Sequence, residues 1–300
     1  MSALTRAREY YRRQRAISAA AAVAARRTVK QAPGDVQALT RTIGTYQLAS
    51  ATLAARTMAT EAGRTAVVDP FAFVGTNSSG LPLAGPVETL LDDLAAKMLD
   101  NAGLLVDDML HRIDRMVSSE VTDAGRAASS VEIVFEPDWT NYVRVLDPPS
   151  CPRCAILAGR IYRDNEGFPR HPECDCQHWP VSSWEEAHDE GLLFSAESAF
   201  EKGQIRGLSN ADTQAIREGA DITRVVNAAQ EMRTTSIFGR DGIKVTLAST
   251  TRRSEWRKAN PASRRPIRLR PESIYDIAKD HEDALRLLDL YGYIRHSTAA

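Results

Sequence analysis

Apolar residues recur at helical spacing along most of the first 120 positions. Val36, Leu39, Ile43, Leu48 and Leu53 follow a three-to-four-residue period with alanines and threonines between them, which predicts a helix over 36–68 with a thin, closely packed core. Leu90, Leu91, Leu94, Met98, Leu105, Met109, Ile113, Met116 and Val117 keep one apolar face opposite acidic residues. They predict a long helix or helical hairpin broken near Asn101-Ala102-Gly103, with the methionines as packing filler. Ahead of both, Met1 to Lys30 is rich in alanine and arginine, two strong helix formers. Pro33-Gly34 closes that segment and Asp35 is placed to cap the next helix. Asp69-Pro70 stops the second helix, and the Gly-, Ser- and Pro-rich stretch 71–86 predicts an exposed connection.

The pattern changes at Val131. Val131–Phe135 and Trp139–Val145 are short β-branched and aromatic runs separated by Pro137-Asp138, predicting two strands, with Ile161-Tyr162 a candidate partner for one of them. Ser183-Trp184-Glu185-Glu186 has the form of a capping box and opens an acidic helix. Helical composition returns at 211–229 behind Ser209. An extended hairpin is expected over 234–250 around Gly239–Gly242, and a short amphipathic helix closes the chain over 273–293. The predicted class is therefore α+β, mostly helical, in three parts. These are a helical N-terminal region over 1–130, a small central β/zinc module over 131–200, and a mixed C-terminal region over 201–300.

Charge changes this picture through its distribution. The 38 basic side chains nearly balance the 39 acidic ones, so net charge names no partner. Two blocks are strongly basic, however: Arg6 to Lys30, and Arg252 to Arg270 with Arg264, Arg265 and Arg268 among its members. Each is a candidate contact for DNA phosphates or for an acidic protein surface; the first reads equally well as a solvated helix, while for the second the contact is favoured slightly over a solvated linker. The stretch 131–200 is acidic instead, which argues against a zinc finger that reads DNA. No run of about eighteen apolar residues occurs, so no membrane span is expected.

All four cysteines fall between Ser150 and His178, as Cys151-Pro-Arg-Cys154 and His171-Pro-Glu-Cys174-Asp-Cys176-Gln-His178. A Cys-x-x-Cys knuckle aims two sulfurs at one point, and the second cluster returns two more sulfurs and two imidazoles after a turn-bearing loop. Four thiolates, or three with one imidazole, close a tetrahedral structural zinc ion and leave no position for water. Cys151, Cys154, Cys174 and Cys176 are the predicted ligands, with His171 the alternative to any one of them and His178 a supporting or substitute candidate. Disulfides, a cysteine nucleophile and four unmetallated thiols are competing readings. A zinc deaminase is a further one, but His171-Pro-Glu173 follows the first cysteine pair where deaminases place that motif before it.

The run Tyr142 to Arg160 together with Gly167-Phe-Pro-Arg-His-Pro-Glu-Cys-Asp-Cys176 resembles the minor head morphogenesis proteins of tailed bacteriophages, the Mu F-like family, in the form associated with phages of actinobacteria. The resemblance centres on 142–180, with weaker support from Pro271-Glu-Ser-Ile-Tyr275 and Leu287–Ile294. It implies a virion structural protein of the capsid interior, assembled in the host cytoplasm, whose partners are the portal and other capsid proteins. Packaged DNA is a further candidate partner through the two basic blocks. No catalytic role is expected, because G-x-S-x-G, H-E-x-x-H and an obvious Ser/His pair are missing from the sequence. The alternatives are a capsid maturation protease, a zinc-dependent nuclease with His178 or His188 as base, and a zinc-containing DNA-binding protein.

Overall fold

The computed structural model describes residues 1–166, 174, 176–230, 232–237, 239–247 and 267–295. Its contacts divide the chain into two compact units, one of residues 1–147 with 158–194, the other of 148–157 with 195–300. The class is α+β and mostly helical, with small antiparallel sheets.

The first unit is built on four helices: α1 (Ala3–Gln31), α2 (Val36–Glu61), α3 (Ala84–Asp100) and α4 (Asp107–Val134). Asp35 caps α2 as expected, its carboxylate accepting the Ala38 N–H at 2.8 Å. The break between α3 and α4 falls where Ala102 and Gly103 take φ of 53° and 78°, a conformation that a helix cannot continue through. Leu39, Ile43, Leu90, Leu94, Met109, Ile113, Val117 and Val121 form the apolar core.

The basic N-terminus is neither a solvated tail nor a wholly exposed helix. Ala3, Ala7, Tyr10, Gln14, Ser18, Ala21, Ala25 and Val29, one per helical turn, bury one face of α1. Its arginines turn outward, Arg6 to Glu61 at 2.9 Å, Arg12 to Asp147 at 2.7 Å, and Arg26 to Asp114. Inside the bundle the contact is polar. Gln14 Nε2 donates to Tyr10 Oη at 3.1 Å and to the Ser50 carbonyl at 3.0 Å, and Ser50 Oγ donates to Gln14 Oε1 at 2.7 Å. Tyr10 Oη lies 2.8 Å from Ser129 Oγ. Gly125 makes room for this node: a Cβ there would meet Ser50 Oγ at 2.4 Å.

Three expectations need correction in this unit. Val131–Phe135 is not a strand: α4 runs on through Val134, with Phe135 closing it. Tertiary contacts override β-branched propensity here, because the fully buried Glu132 accepts the N–H groups of Val67 and Val68, each at 2.9 Å, and pairs with Arg64 at 2.6 Å. The second helix ends at Glu61, short of Asp69-Pro70. The connection 71–86 is also less free than its composition suggests. It contains the 3-10 turn Pro70–Phe73, and Gln47 accepts the Gly75 N–H at 2.9 Å while donating to the Thr76 carbonyl at 2.7 Å.

A three-stranded antiparallel sheet completes the first unit, in the order β2 (Ile161–Arg163), β1 (Asn141–Val145), β3 (Gln177–Val181). The expected pairing of Ile161-Tyr162 is present, with Tyr142 opposite Tyr162 on one side and Pro180 on the other. The short helix α6 (Trp184–Asp189) follows, Ser183 accepting the Glu186 N–H and Glu186 accepting the Ser182 N–H.

The second unit begins with α5 (Pro152–Leu157), and residue 150 is tied in by Ser150 N–H donating to the Gln204 carbonyl at 3.0 Å. Helices α7 (Ala196–Glu201), α8 (Asn210–Arg217) and α9 (Ile222–Ala228) precede the sheet β4 (Met232–Ile237), β5 (Arg240–Thr246), β6 (Arg268–Leu269). The closing amphipathic segment is two helices, Pro271–Ile277 and His281–Leu290.

The C-terminal basic block divides. Residues 252–266 lie outside the described residues, but Arg268 and Arg270 are core residues, each 2% exposed. Arg268 stacks 3.8 Å over the Tyr293 ring and donates to the carbonyls of Tyr291 and Gly292. Arg270 forms two 2.9 Å hydrogen bonds to Asp212. An arm laid on phosphates cannot include these two.

Candidate metal centre

Pro152 opens α5 and places Cys151 just before its first turn, where the sulfur accepts the Cys154 N–H at 3.3 Å. Cys174 and Cys176 arrive from the other side of the sequence, immediately before β3. Cys154 and Cys176 are fully buried and Cys174 is 4% exposed. The sulfurs of Cys154, Cys174 and Cys176 lie within 4.8 Å of one another, and the three could hold a metal ion. Sulfurs arranged tetrahedrally around zinc sit about 3.8 Å apart, given a zinc–sulfur bond of about 2.3 Å. That spacing lies within the 4.8 Å that encloses the triad, and Cys174 and Cys176 are nearer together at 3.2 Å.

The positive charge beside these sulfurs comes from α4. Arg126, 3% exposed, donates through Nε to the Cys176 carbonyl at 2.8 Å and through Nη2 to the Cys174 carbonyl. Nη2 also lies 3.8 Å from Cys176 Sγ, and Nη1 binds Asp123 at 2.7 Å. Burial works against the guanidinium charge, but the neighbouring Cys176, Cys174 and Asp123 outweigh it and hold Arg126 above its ordinary pKa. Sequence reasoning missed this residue. The available signal was that the apolar stripe Met109, Ile113, Val117, Val121 gives way to Thr122, Arg126, Ser129 and Glu132 on the buried side of the same helix.

Of the predicted ligands, three come together. Cys151 is partly exposed, its sulfur 3.3 Å from the Cys154 N–H nitrogen. His171 lies outside the described residues. His178 sits on β3 opposite Arg144, its ring stacked on Tyr142 at 4.6 Å and its Nδ1 3.0 Å from Ser130 Oγ. That contact is a Ser/His pair that the sequence did not reveal. Both residues line a cavity of about 440 Å3, with Glu120, Asp123 and Arg126 also on its wall. His188, by contrast, is exposed and stacked on Trp184, with Nδ1 at 3.1 Å from Asp189. No described helix is long and apolar enough to cross a membrane.

The fold and the cluster together define a mostly helical α+β protein with a buried three-cysteine site able to hold a metal. The model of the VG15 protein family matches residues 1–198, about two thirds of the chain, and the chain belongs to that family of viral proteins. The match carries the phage resemblance as far as a viral, phage-type protein and does not extend it to the Mu F-like head morphogenesis family. No curated protein matches the chain. No solved structure matches it either.

Proposed function

We propose that this chain is a structural minor capsid protein of a tailed bacteriophage, a component of the head whose fold is stapled by zinc. The observation that carries the reading is the burial of the three sulfurs within a viral protein family. A catalytic zinc keeps a coordination position open to water and substrate, whereas a structural one is enclosed by protein ligands. Cys154, Cys174 and Cys176 supply three thiolates, and Cys151 or His171 supplies the fourth ligand. The zinc contributes folding free energy, because the thiolates are assembled only in the native chain. Its partners are the portal and neighbouring capsid proteins, and the exposed Arg13, Arg15, Arg27 and Lys30 of α1 face packaged DNA.

The test is protein and metal content of purified phage heads. The reading expects the chain in mature heads and about one zinc per chain in the isolated protein. Its abundance in infected cells together with its absence from heads would overturn the reading. The enzymatic alternative rests on the Ser130–His178 pair at the cavity wall. A hydrolytic activity lost in both Ser130→Ala and His178→Gln would favour it.

A further inference from the structure

We infer that Arg126 is the positioning residue of the metal centre: it aims the Cys174 and Cys176 sulfurs at one point and supplies the counter-charge that makes an anionic thiolate–metal cluster tolerable inside the protein. The inference rests on the metal reading above. The sulfurs of Cys174 and Cys176 lie 3.2 Å apart, and their direction follows the backbone that carries them. Arg126 holds that backbone, with Nε on the Cys176 carbonyl and Nη2 on the Cys174 carbonyl, two donors of one rigid fork. The fork is itself fixed by Asp123, one helical turn back on α4, through Nη1 at 2.7 Å.

The guanidinium charge acts separately from the clamp. A divalent ion with three thiolates carries one net negative charge, and with four it carries two. Burying such a group without a partner is costly, and the Arg126 guanidinium lies 3.8 Å from the Cys176 sulfur. The donor set of three soft sulfurs selects a thiophilic divalent ion such as zinc, with cobalt(II) as its spectroscopic substitute, over magnesium or calcium.

The experiment titrates the full-length wild type, Arg126→Gln and Arg126→Lys with cobalt(II), then displaces it with zinc. Affinity and the sulfur-to-cobalt charge-transfer and ligand-field bands are read together, with far-ultraviolet circular dichroism as the control for folding. Supporting residues of this kind typically contribute tenfold to a hundredfold in metal affinity. Arg126→Gln is expected to lose about that much and to shift the cobalt bands, since the angle between two sulfurs changes. Arg126→Lys, which keeps the charge but cannot span both carbonyls, is expected to retain more affinity than Gln while showing the same band shift. Wild-type affinity and bands in Arg126→Gln would overturn the inference. If that variant does not fold, wild-type bands in Arg126→Lys would do so. Failure of the wild type itself to take up cobalt or zinc would remove the metal reading, an outcome visible before any variant is compared.

Discussion

The two units place arginine in opposite ways. In the helical unit the arginines of α1 lie on its outer face and reach across to carboxylates, while small and polar side chains fill the inner face. In the C-terminal unit Arg268 and Arg270 are themselves interior, one stacked on Tyr293 and the other bonded to Asp212. A 29-residue helix can separate its charged and buried faces by periodicity alone. Strand β6 is two residues long and leads into the short helix Pro271–Ile277, so it cannot, and each buried guanidinium must instead find carbonyls or a carboxylate. An arginine-rich run therefore says little about surface charge until the element carrying it is known.

The largest effect expected from this difference is at Arg270. Arg270→Met leaves Asp212 buried without its partner and should cost about 3–5 kcal/mol. Peptide-resolved hydrogen exchange should place the loss of protection in 210–217 and 268–277. An equal loss spread over α1 and α2 would break the contrast between the units. Next comes Gly125→Ala in the helical unit, where the new methyl would collide with Ser50 and Gln14 at 2.4 and 2.9 Å. We expect destabilisation of about 1–3 kcal/mol in chemical denaturation, and an unchanged midpoint would mean that the polar node moves aside freely.

Each unit also buries one tyrosine whose pKa is pushed up to about 12 by burial, Tyr10 in the first and Tyr293 in the second. The unfolded phenol ionises near 10, so the stabilising contribution is complete below that value and is lost as pH rises from about 10 to 12. Tyr10→Phe should flatten the alkaline loss of protection in α1 and α4, and Tyr293→Phe that in β6 and its neighbours. A profile unchanged in both variants would show that other groups govern alkaline unfolding. The smallest effect is at the exposed start of α2. Asp35→Ala removes one cap and should lower stability by about 1 kcal/mol in thermal denaturation; a loss as large as that at Arg270 would contradict the cap as its role.

The long helices, the Asp35 cap, the break at 101–103 and the pairing of Ile161-Tyr162 with the central strand were legible in the sequence, because each depends on local periodicity or turn chemistry. What escaped was set by tertiary contacts. Val131–Val134 has strand composition, yet continues α4 because Glu132 is needed beneath the Arg64–Val68 segment. At the candidate site the four cysteines could be read as a cluster. The sequence did not indicate that Arg126, some fifty residues earlier, would hold the Cys-x-Cys backbone. The Ser130–His178 contact was hidden for the same reason, since its members meet only when α4 packs on β3.

The connection after α2 has a practical meaning for handling the protein. Its only basic residue between Glu61 and Pro86 is Arg64, whose guanidinium is engaged by Glu132 and Glu136 while Val67 and Val68 are bonded to the same Glu132. Trypsin must draw an extended, accessible stretch around that arginine into its cleft, and here doing so would strip a buried carboxylate of its partners. The segment that looks most like a linker is thus guarded against the protease that would be chosen to find linkers, and limited digestion should map the ends of this molecule elsewhere.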